Sequence, residues 1–558
     1  MQIDRFKKAW VEETGENLPI MSRQPSGRAT RFTLRAALTA SCLAVSLLAS
    51  AVPAQAQSTL RVVLRNDLAS IDPVASTATF ARNHGFMVYD QLYALDTKGE
   101  PQRQMLESEE VSADGRQWRF TLRDGLRFHD GNPVRAADAV ASIRRWAQRD
   151  VVGRALAAAT GSMEVVDDKT FTITLSRPFA LVKQALARPT ASALFIMPEA
   201  VAQTPATEQI TSAVGSGPFI FRRDQWQVGN RAIYERNPEY RARSEAPDGL
   251  AGAKTPKVDR IEWLSMPDPS TALGALSTGE IDFWELPPPD MIPALEKMRN
   301  VSLAAIDPIG SQVWLRMNAQ QPPFNDPRAR QALLRVINQR DVLDAAGLPP
   351  EDRVERCNAF FYCGTPLESA AGTEGLDRPD PEAARALLKE AGYDGRPIVF
   401  LDAADLTTNH AATLVMAEAF SKIGLKMDTV TTDFATLTAR RNKRDPVAQG
   451  GWNLFITVGN VLDGGDPLSS LYLASPCTGG LAGWPCDEKL EELRRTWWQE
   501  QDPAKRRALV DDIQRQAYQS LPYIPAGQFR SRAAFRSNVQ GVRATTVPVF
   551  WGIEKTGN

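Results

Sequence analysis

Carboxylates, histidines and cysteines are the side chains of this 558-residue chain that could do chemistry, and their spacing limits how much. Histidine is scarce, with only His84, His129 and His410. His129 stands in the turn cluster His129-Asp130-Gly131-Asn132-Pro133, where a structural hydrogen bond outweighs catalysis, and His410 precedes a helical stretch whose start it caps or solvates. Beyond residue 56 there is no G-x-S-x-G, H-E-x-x-H, Walker A loop or dinucleotide glycine fingerprint. No catalytic group, metal site or cofactor is therefore implied, and a secreted hydrolase lacks its nucleophile–base motif. Asp167-Asp168 and Asp511-Asp512 fit a turn and a helix surface. Asp463-Gly464-Gly465-Asp466-Pro467 stands apart, with two carboxylates flanking a glycine pair just after the apolar strand 451–457, which carries Trp452, Phe455 and Thr457. Composition alone makes it a solvated turn. Yet a cation taken out of water needs such an opposite charge, with good hydrogen bonds.

Five cysteines occur, of which Cys42 lies in an N-terminal segment built for export. There Arg23, Arg28, Arg31 and Arg35 form a basic region, residues 36–51 an apolar one, and Ala54-Gln55-Ala56 a small-x-small cleavage site. The apolar run is shorter than the roughly 20 residues of a membrane span, so cleavage after Ala56 and release into the periplasm are expected. Glu12, Glu13 and Glu16 are foreign to such a leader and point to translation from Met21. In that oxidising compartment Cys357, Cys363, Cys477 and Cys486 form an even set open to three pairings, and close spacing favours Cys357 with Cys363 and Cys477 with Cys486. A zinc site competes poorly, because neither pair has C-x2-C spacing and no histidine is near. The formal net charge of -1 carries no nucleic-acid or anionic-membrane signal.

The elements that must position these residues alternate between strand and helix periods, as in mixed α/β layers. Residues 60–64 form a strand, and residues 76–93 turn helical with Phe80, Phe86, Met87 and Leu92 apolar. Residues 118–123 alternate as a half-buried strand, Asp124-Gly125 signals a hairpin turn, residues 126–128 return, and residues 136–146 form a helix. A strand pair brackets Asp167-Asp168, and a helix over 270–282 ends at Gly279. Residues 313–318 make a strand and residues 323–332 a loop into a helix; residues 504–520 are the last long helix.

One stretch, residues 118–146, is more specific than its elements. Trp118, Phe120, Leu122, Arg123, Gly125, Phe128, His129, Asp130, Gly131, Pro133, Ala136, Asp138 and Ser142 match a W-x-F-x-L-R-x-G-x-x-F-H-D-G-x-P-x-x-A-x-D-V-x-x-S pattern. It resembles the family 5 extracytoplasmic solute-binding proteins of ABC importers, which bind peptides, opines or nickel. Gly215-Ser216-Gly217-Pro218-Phe219, Gly279-Glu280-Ile281-Asp282 and the run from Pro323 through Asp326 and Arg330 to Ala332 extend the likeness over residues 58–550.

The resemblance implies an α/β, two-lobed periplasmic-binding-protein fold (type II, cluster C) that closes on its ligand about a hinge. Residues 1–56 would be the signal peptide and an upstream extension. Residues 57–100 and 215–312 would be the first lobe, 101–214 a subdomain inserted in it, 313–524 the second lobe, and 525–558 a return to the first. It also implies a monomeric receptor, without enzyme activity, that delivers a small peptide or peptide-like solute to an inner-membrane ABC permease. Glutathione, an opine or a metal chelate is the alternative solute. By the same resemblance Asp463 pairs with the ligand ammonium, with Asp466 as second candidate, although Val461 and Leu462 lengthen the approach to it. Thr77, Thr79 and Phe80 would face the cleft, with Trp452, Phe455 and Thr457 beside the ligand, and Arg316 and Arg353 are candidates for a carboxylate.

Overall fold

The computed structural model describes residues 58–557 apart from Thr77 and Asp377, so the expected leader and its cleavage site lie outside the described residues. Strand β1 (Thr59–Val63) lies inside a seven-stranded sheet, parallel to Arg260–Leu264 on one side and to Phe283–Trp284 on the other. Leu60, Val62 and Val63 are buried there, as a strand covered on both faces requires. A six-stranded sheet is centred on β3 (Ser311–Met317) and β4 (Leu454–Asn460), which pair antiparallel. The third sheet is antiparallel and ordered Leu106–Val111, Gln117–Leu122, Thr170–Leu175, Thr160–Val165. These are the α/β layers of a two-lobed fold, with the four-stranded sheet as an insertion.

The chain passes between the two large sheets twice. Strand β2 (Val301–Ala305) belongs to the first sheet and leads through residues 306–310 into β3. Strand β5 (Ile524–Phe529) pairs with β3, and residues 530–531 return the chain to β6 (Arg532–Arg536) beside β2. β5, which spans the expected boundary at residue 525, thus completes the second sheet before the chain leaves it. Gly310 makes the crossing feasible: its φ is +83°, and a Cβ there would lie 2.1 Å from the Phe529 carbonyl oxygen. Two adjacent extended crossings are the kind of hinge on which lobes rotate.

Helix starts follow a local grammar. Asp268-Pro269, Asp326-Pro327, Asp380-Pro381 and Asp502-Pro503 each open a helix, with the aspartate accepting a backbone N–H of the first turn and the proline at its first position. Gly279 closes its helix at φ +86°, as expected.

The hairpin expected at Asp124-Gly125 does not form. Gln117–Leu122 is already paired on both edges, with Leu106–Val111 and with Thr170–Leu175, so residues 126–128 find no free edge and make only the bridge Arg127 to Pro133. The helix Ala136–Trp146 follows as expected.

The two lobes touch. Leu462, from the second lobe, packs against the first-lobe core. Phe179 of the inserted subdomain meets Trp498 of the second lobe at 5.6 Å between ring centroids, and Arg177 lies over the same indole. Arg188 of the subdomain forms an ion pair with Asp466.

Candidate functional site

Where the lobes face each other, charged groups from five separate segments come together. Helix α1 (Thr79–Val88) carries Arg82, which is 5% exposed. Among the described residues its guanidinium makes a 3.4 Å contact from Nη2 to Asn83 Oδ1, leaves Nε without a partner and forms no ion pair. Asp463, Glu285 and Asp307 interact with it electrostatically without closing to ion-pair distance. Burial depresses the Arg82 pKa, and these acids oppose that shift.

Glu285 and Arg65 sit just beyond the carboxyl ends of two adjacent parallel strands, Phe283–Trp284 and β1, where open α/β sheets place their ligands. Glu285 Oε2 accepts the Arg65 backbone N–H at 2.7 Å. Asp307 lies in the first hinge crossing, where its Oδ1 accepts the Ile309 N–H at 3.0 Å. Burial raises the pKa of both acids, partly offset by these backbone bonds and the nearby arginines.

Asp463 belongs to the short helix α2 (Val461–Gly464) that follows β4. Val461 and Leu462, which lengthen the sequence ahead of it, form the first turn of that helix. Asn460 caps it, accepting the Leu462 N–H at 2.9 Å, while Asp463 Oδ2 receives the Asn460 N–H at 3.4 Å. Asp463 is open to water, yet protein encloses it closely enough for desolvation to raise its pKa. An accessible carboxylate deep inside the molecule is the signature of a cleft wall. Arg82 and Arg65 pull its pKa the other way.

Other expected positions fall elsewhere. Asp466 does not face the cleft as a free acid: it accepts the Leu468 and Ser469 N–H groups at 2.9 Å, bonds the Ser469 hydroxyl at 2.7 Å and pairs with Arg188. Burial opposes its ionisation, but Arg188 and the Ser469 donors outweigh that and lower its pKa. Trp452 and Phe455 are both 0% exposed and pack with Trp484, Leu401 and Leu437, so neither offers a face for stacking. Thr457 is buried opposite Trp314 in the sheet. Thr79 opens α1 and donates to Asn66 Oδ1 at 3.2 Å, and Phe80 packs against the first-lobe core. Thr77 lies outside the described residues.

Arg316 is fully buried and donates to the carbonyls of Ala482, Tyr472 and Pro522, while Arg353 is tied to Leu348 O and Asp344, so both are structural. His129 receives the Gly215 N–H on Nδ1 at 3.3 Å and donates from Nε2 to Gly217 O at 3.1 Å. His410 lies inside the helix Thr407–Lys422, its Nδ1 2.8 Å from Asp402, rather than ahead of that helix. Both local cysteine pairs, Cys357–Cys363 and Cys477–Cys486, are bonded.

Sequence reasoning missed Arg82, Glu285, Asp307 and Tyr362. Tyr362 is fully buried with no partner for its hydroxyl, and it interacts electrostatically with Asp463 and Asp307. A cavity of about 1010 Å³ lies within the second lobe, among Gln339, Arg340, Arg353 and Arg378. None of the orphaned buried polar atoms lines it.

Residues 100–481 match the family model described as bacterial extracellular solute-binding proteins, family 5 Middle. The chain is 38% identical over 514 residues, 91% of it and 96% of the relative, to a probable peptide ABC transporter periplasmic-binding protein, y4tO, of Sinorhizobium fredii. It is 26% identical over 538 residues, 94% of it and 98% of the relative, to the glutathione-binding protein GsiB of Escherichia coli K12. The structure of DppA from Helicobacter pylori, in complex with the peptide STSA, shares the fold with a TM-score of 0.71 at 21% identity, covering 90% of this chain and 99% of that one. The chain thus belongs to the bacterial extracellular solute-binding proteins of family 5.

Proposed function

We propose that the protein captures a small peptide or peptide-like zwitterion between its lobes in the periplasm and presents it to an inner-membrane ABC permease, acting as a monomer and leaving the solute chemically unchanged. Its leader is cut after Ala56. One observation carries this reading: Arg82 on the first lobe, its Nε unpartnered, and the exposed Asp463 on the second, which accepts one backbone N–H at 3.4 Å, interact electrostatically without forming an ion pair. Such a chamber suits a ligand carrying both signs of charge. Asp463 takes the ammonium, while backbone groups and cleft water serve the rest of the solute without reading its side chains.

Isothermal titration calorimetry with di- to tetrapeptides tests the reading. Asp463→Ala is expected to lose about 3–5 kcal/mol of binding free energy, as when one member of a buried charge pair is removed. Unchanged affinity in that variant removes Asp463 from the site, and peptide turnover by the purified protein would replace the receptor with a hydrolase. Glutathione, itself amphoteric, is a second reading favoured by the likeness to GsiB. It displaces the first if it binds at least tenfold more tightly than any peptide.

A further inference from the structure

The second lobe holds a cavity of its own. At about 1010 Å³ it has the size of a small-molecule site, and every residue lining it lies between Leu334 and Pro525. No residue of the first lobe takes part, so capture of a solute by lobe closure makes no use of it.

Its lining favours negative charge. Arg340, Arg353, Arg356 and Arg378 line it together with a single acid, Glu355. Arg353 is spent on Asp344 and the Leu348 carbonyl. Arg340 and Arg378 are exposed, and their guanidinium groups make no hydrogen bond or ion pair among the described residues. On a convex surface two solvated arginines would imply nothing. Gathered on one concave wall they act together on an anion, because a low-dielectric cleft focuses their field.

Below the arginines the lining turns apolar. Leu343 is 1% exposed, and Ile337 and Leu376 are half-buried. Gln339 fixes one wall: it accepts the Cys357 N–H at 2.8 Å and donates to Cys357 O at 2.8 Å and to Asn358 Oδ1 at 3.0 Å. That bond engages the Asn358 amide oxygen, while the amide nitrogen keeps both N–H donors unpartnered among the described residues. Charge stands at the mouth, with hydrocarbon and a neutral donor within.

We propose that this cavity is a second ligand site, for a small organic anion with an apolar body, such as an aryl or alkyl phosphate or carboxylate. Arg340 and Arg378 hold the anionic group, since a guanidinium fork matches a pair of its oxygens. Ile337, Leu343 and Leu376 take the body, and Asn358 donates to a polar group on it. The site needs neither Asp463 nor lobe closure, so its occupant and the solute of the interlobe cleft bind together.

The probe is phenyl phosphate, with inorganic phosphate carrying the charge alone and benzamide the ring alone, titrated calorimetrically into the full mature protein. Phenyl phosphate is expected to bind with a Kd of about 1 mM or below, and both comparison molecules at least about tenfold more weakly. Arg340→Gln and Arg378→Gln are each expected to weaken phenyl phosphate about tenfold, the loss of a charge-assisted bond. Both side chains are exposed, so the melting temperature of each variant is expected to match the wild type.

Absence of phenyl phosphate binding up to about 10 mM overturns the proposal. Binding that survives both substitutions together places the probe elsewhere and overturns it too. Inorganic phosphate bound as tightly as phenyl phosphate marks an adventitious ion only, and benzamide bound as tightly removes the role of the arginines. Either result overturns the site.

Discussion

The inserted subdomain and the interlobe chamber use polar residues in opposite ways. In the stretch that names the family, residues 118–146, nearly every polar side chain is consumed internally. Arg145 makes two bonds to Asp72 at 3.0 and 2.8 Å and further bonds to Thr204 O and Glu208 O. Asp138 accepts two backbone N–H groups at 2.7 Å, Ser142 brackets Met197, and Trp146 donates to Ser192 O. Where the lobes meet, Arg82 Nε and the Tyr362 hydroxyl are buried without a partner, and Asp463 is exposed with a single 3.4 Å bond from the Asn460 N–H. Polar groups saturated within the protein build the scaffold. The most recognisable residues are therefore scaffold.

The contrast predicts how each region breaks. The largest effect belongs to the scaffold: Arg145→Ala strands Asp72, both side chains being at most 1% exposed, and is expected to cost about 3–5 kcal/mol in urea unfolding while leaving solute affinity intact. A shift in affinity instead would tie Arg145 to the site.

A second prediction concerns Arg188, which bridges the regions by pairing with Asp466 only when the lobes meet. Asp466 keeps its own loop bonds without Arg188, so Arg188→Ala is expected to weaken solute binding about tenfold, through closure, with little change in unfolding. Equal affinity in titration would show that this pair adds nothing to the closed state.

Acidification separates the regions by sign. His84 and His129 are held neutral by burial, their pKa values pushed down to about 3 and about 4. The unfolded chain binds these protons first, so each histidine removes about 1.4 kcal/mol of stability per pH unit as pH falls from about 6.5 toward its folded value. Asp463 behaves oppositely. Its pKa is raised by desolvation, so ionisation penalises the folded state, and the penalty lifts as pH falls through the raised value. What acid removes at Asp463 is the charge that holds an ammonium. Titrations from about pH 7 to about pH 4.5 are expected to show affinity falling with Asp463 protonation, a loss absent from Asp463→Ala, while unfolding reports the histidines.

Much of the fold was legible because its signals are local. Aspartate–proline pairs mark helix starts, Gly279 marks an end, and close cysteine pairs mark bonds. The failures are tertiary. Nothing in residues 126–128 says that both edges of the preceding strand are taken, and nothing in residues 524–529 says which large sheet they complete. Strand periodicity gave Trp452 and Phe455 a face, but β4 is covered on both sides, so either face is core.

Asp463 was proposed from the family resemblance, not from its own neighbourhood in sequence; Arg82, Glu285, Asp307 and Tyr362 gave no sequence signal, since only folding gathers four distant segments. Asp466 carried a signal that went unused. Asp466-Pro467 repeats the grammar of the helix starts, and its carboxylate is spent on the N–H groups that follow, as in those caps.

The central claim, that the cleft holds an ammonium on Asp463, is tested most directly by native mass spectrometry of the wild type and Asp463→Ala with an equimolar mixture of free and N-acetylated di- to pentapeptides. The predicted result is complexes of the wild type with free-amine peptides alone, reduced roughly 100-fold in the variant. Acetylated peptides bound as well as free ones, or a variant indistinguishable from the wild type, would contradict it.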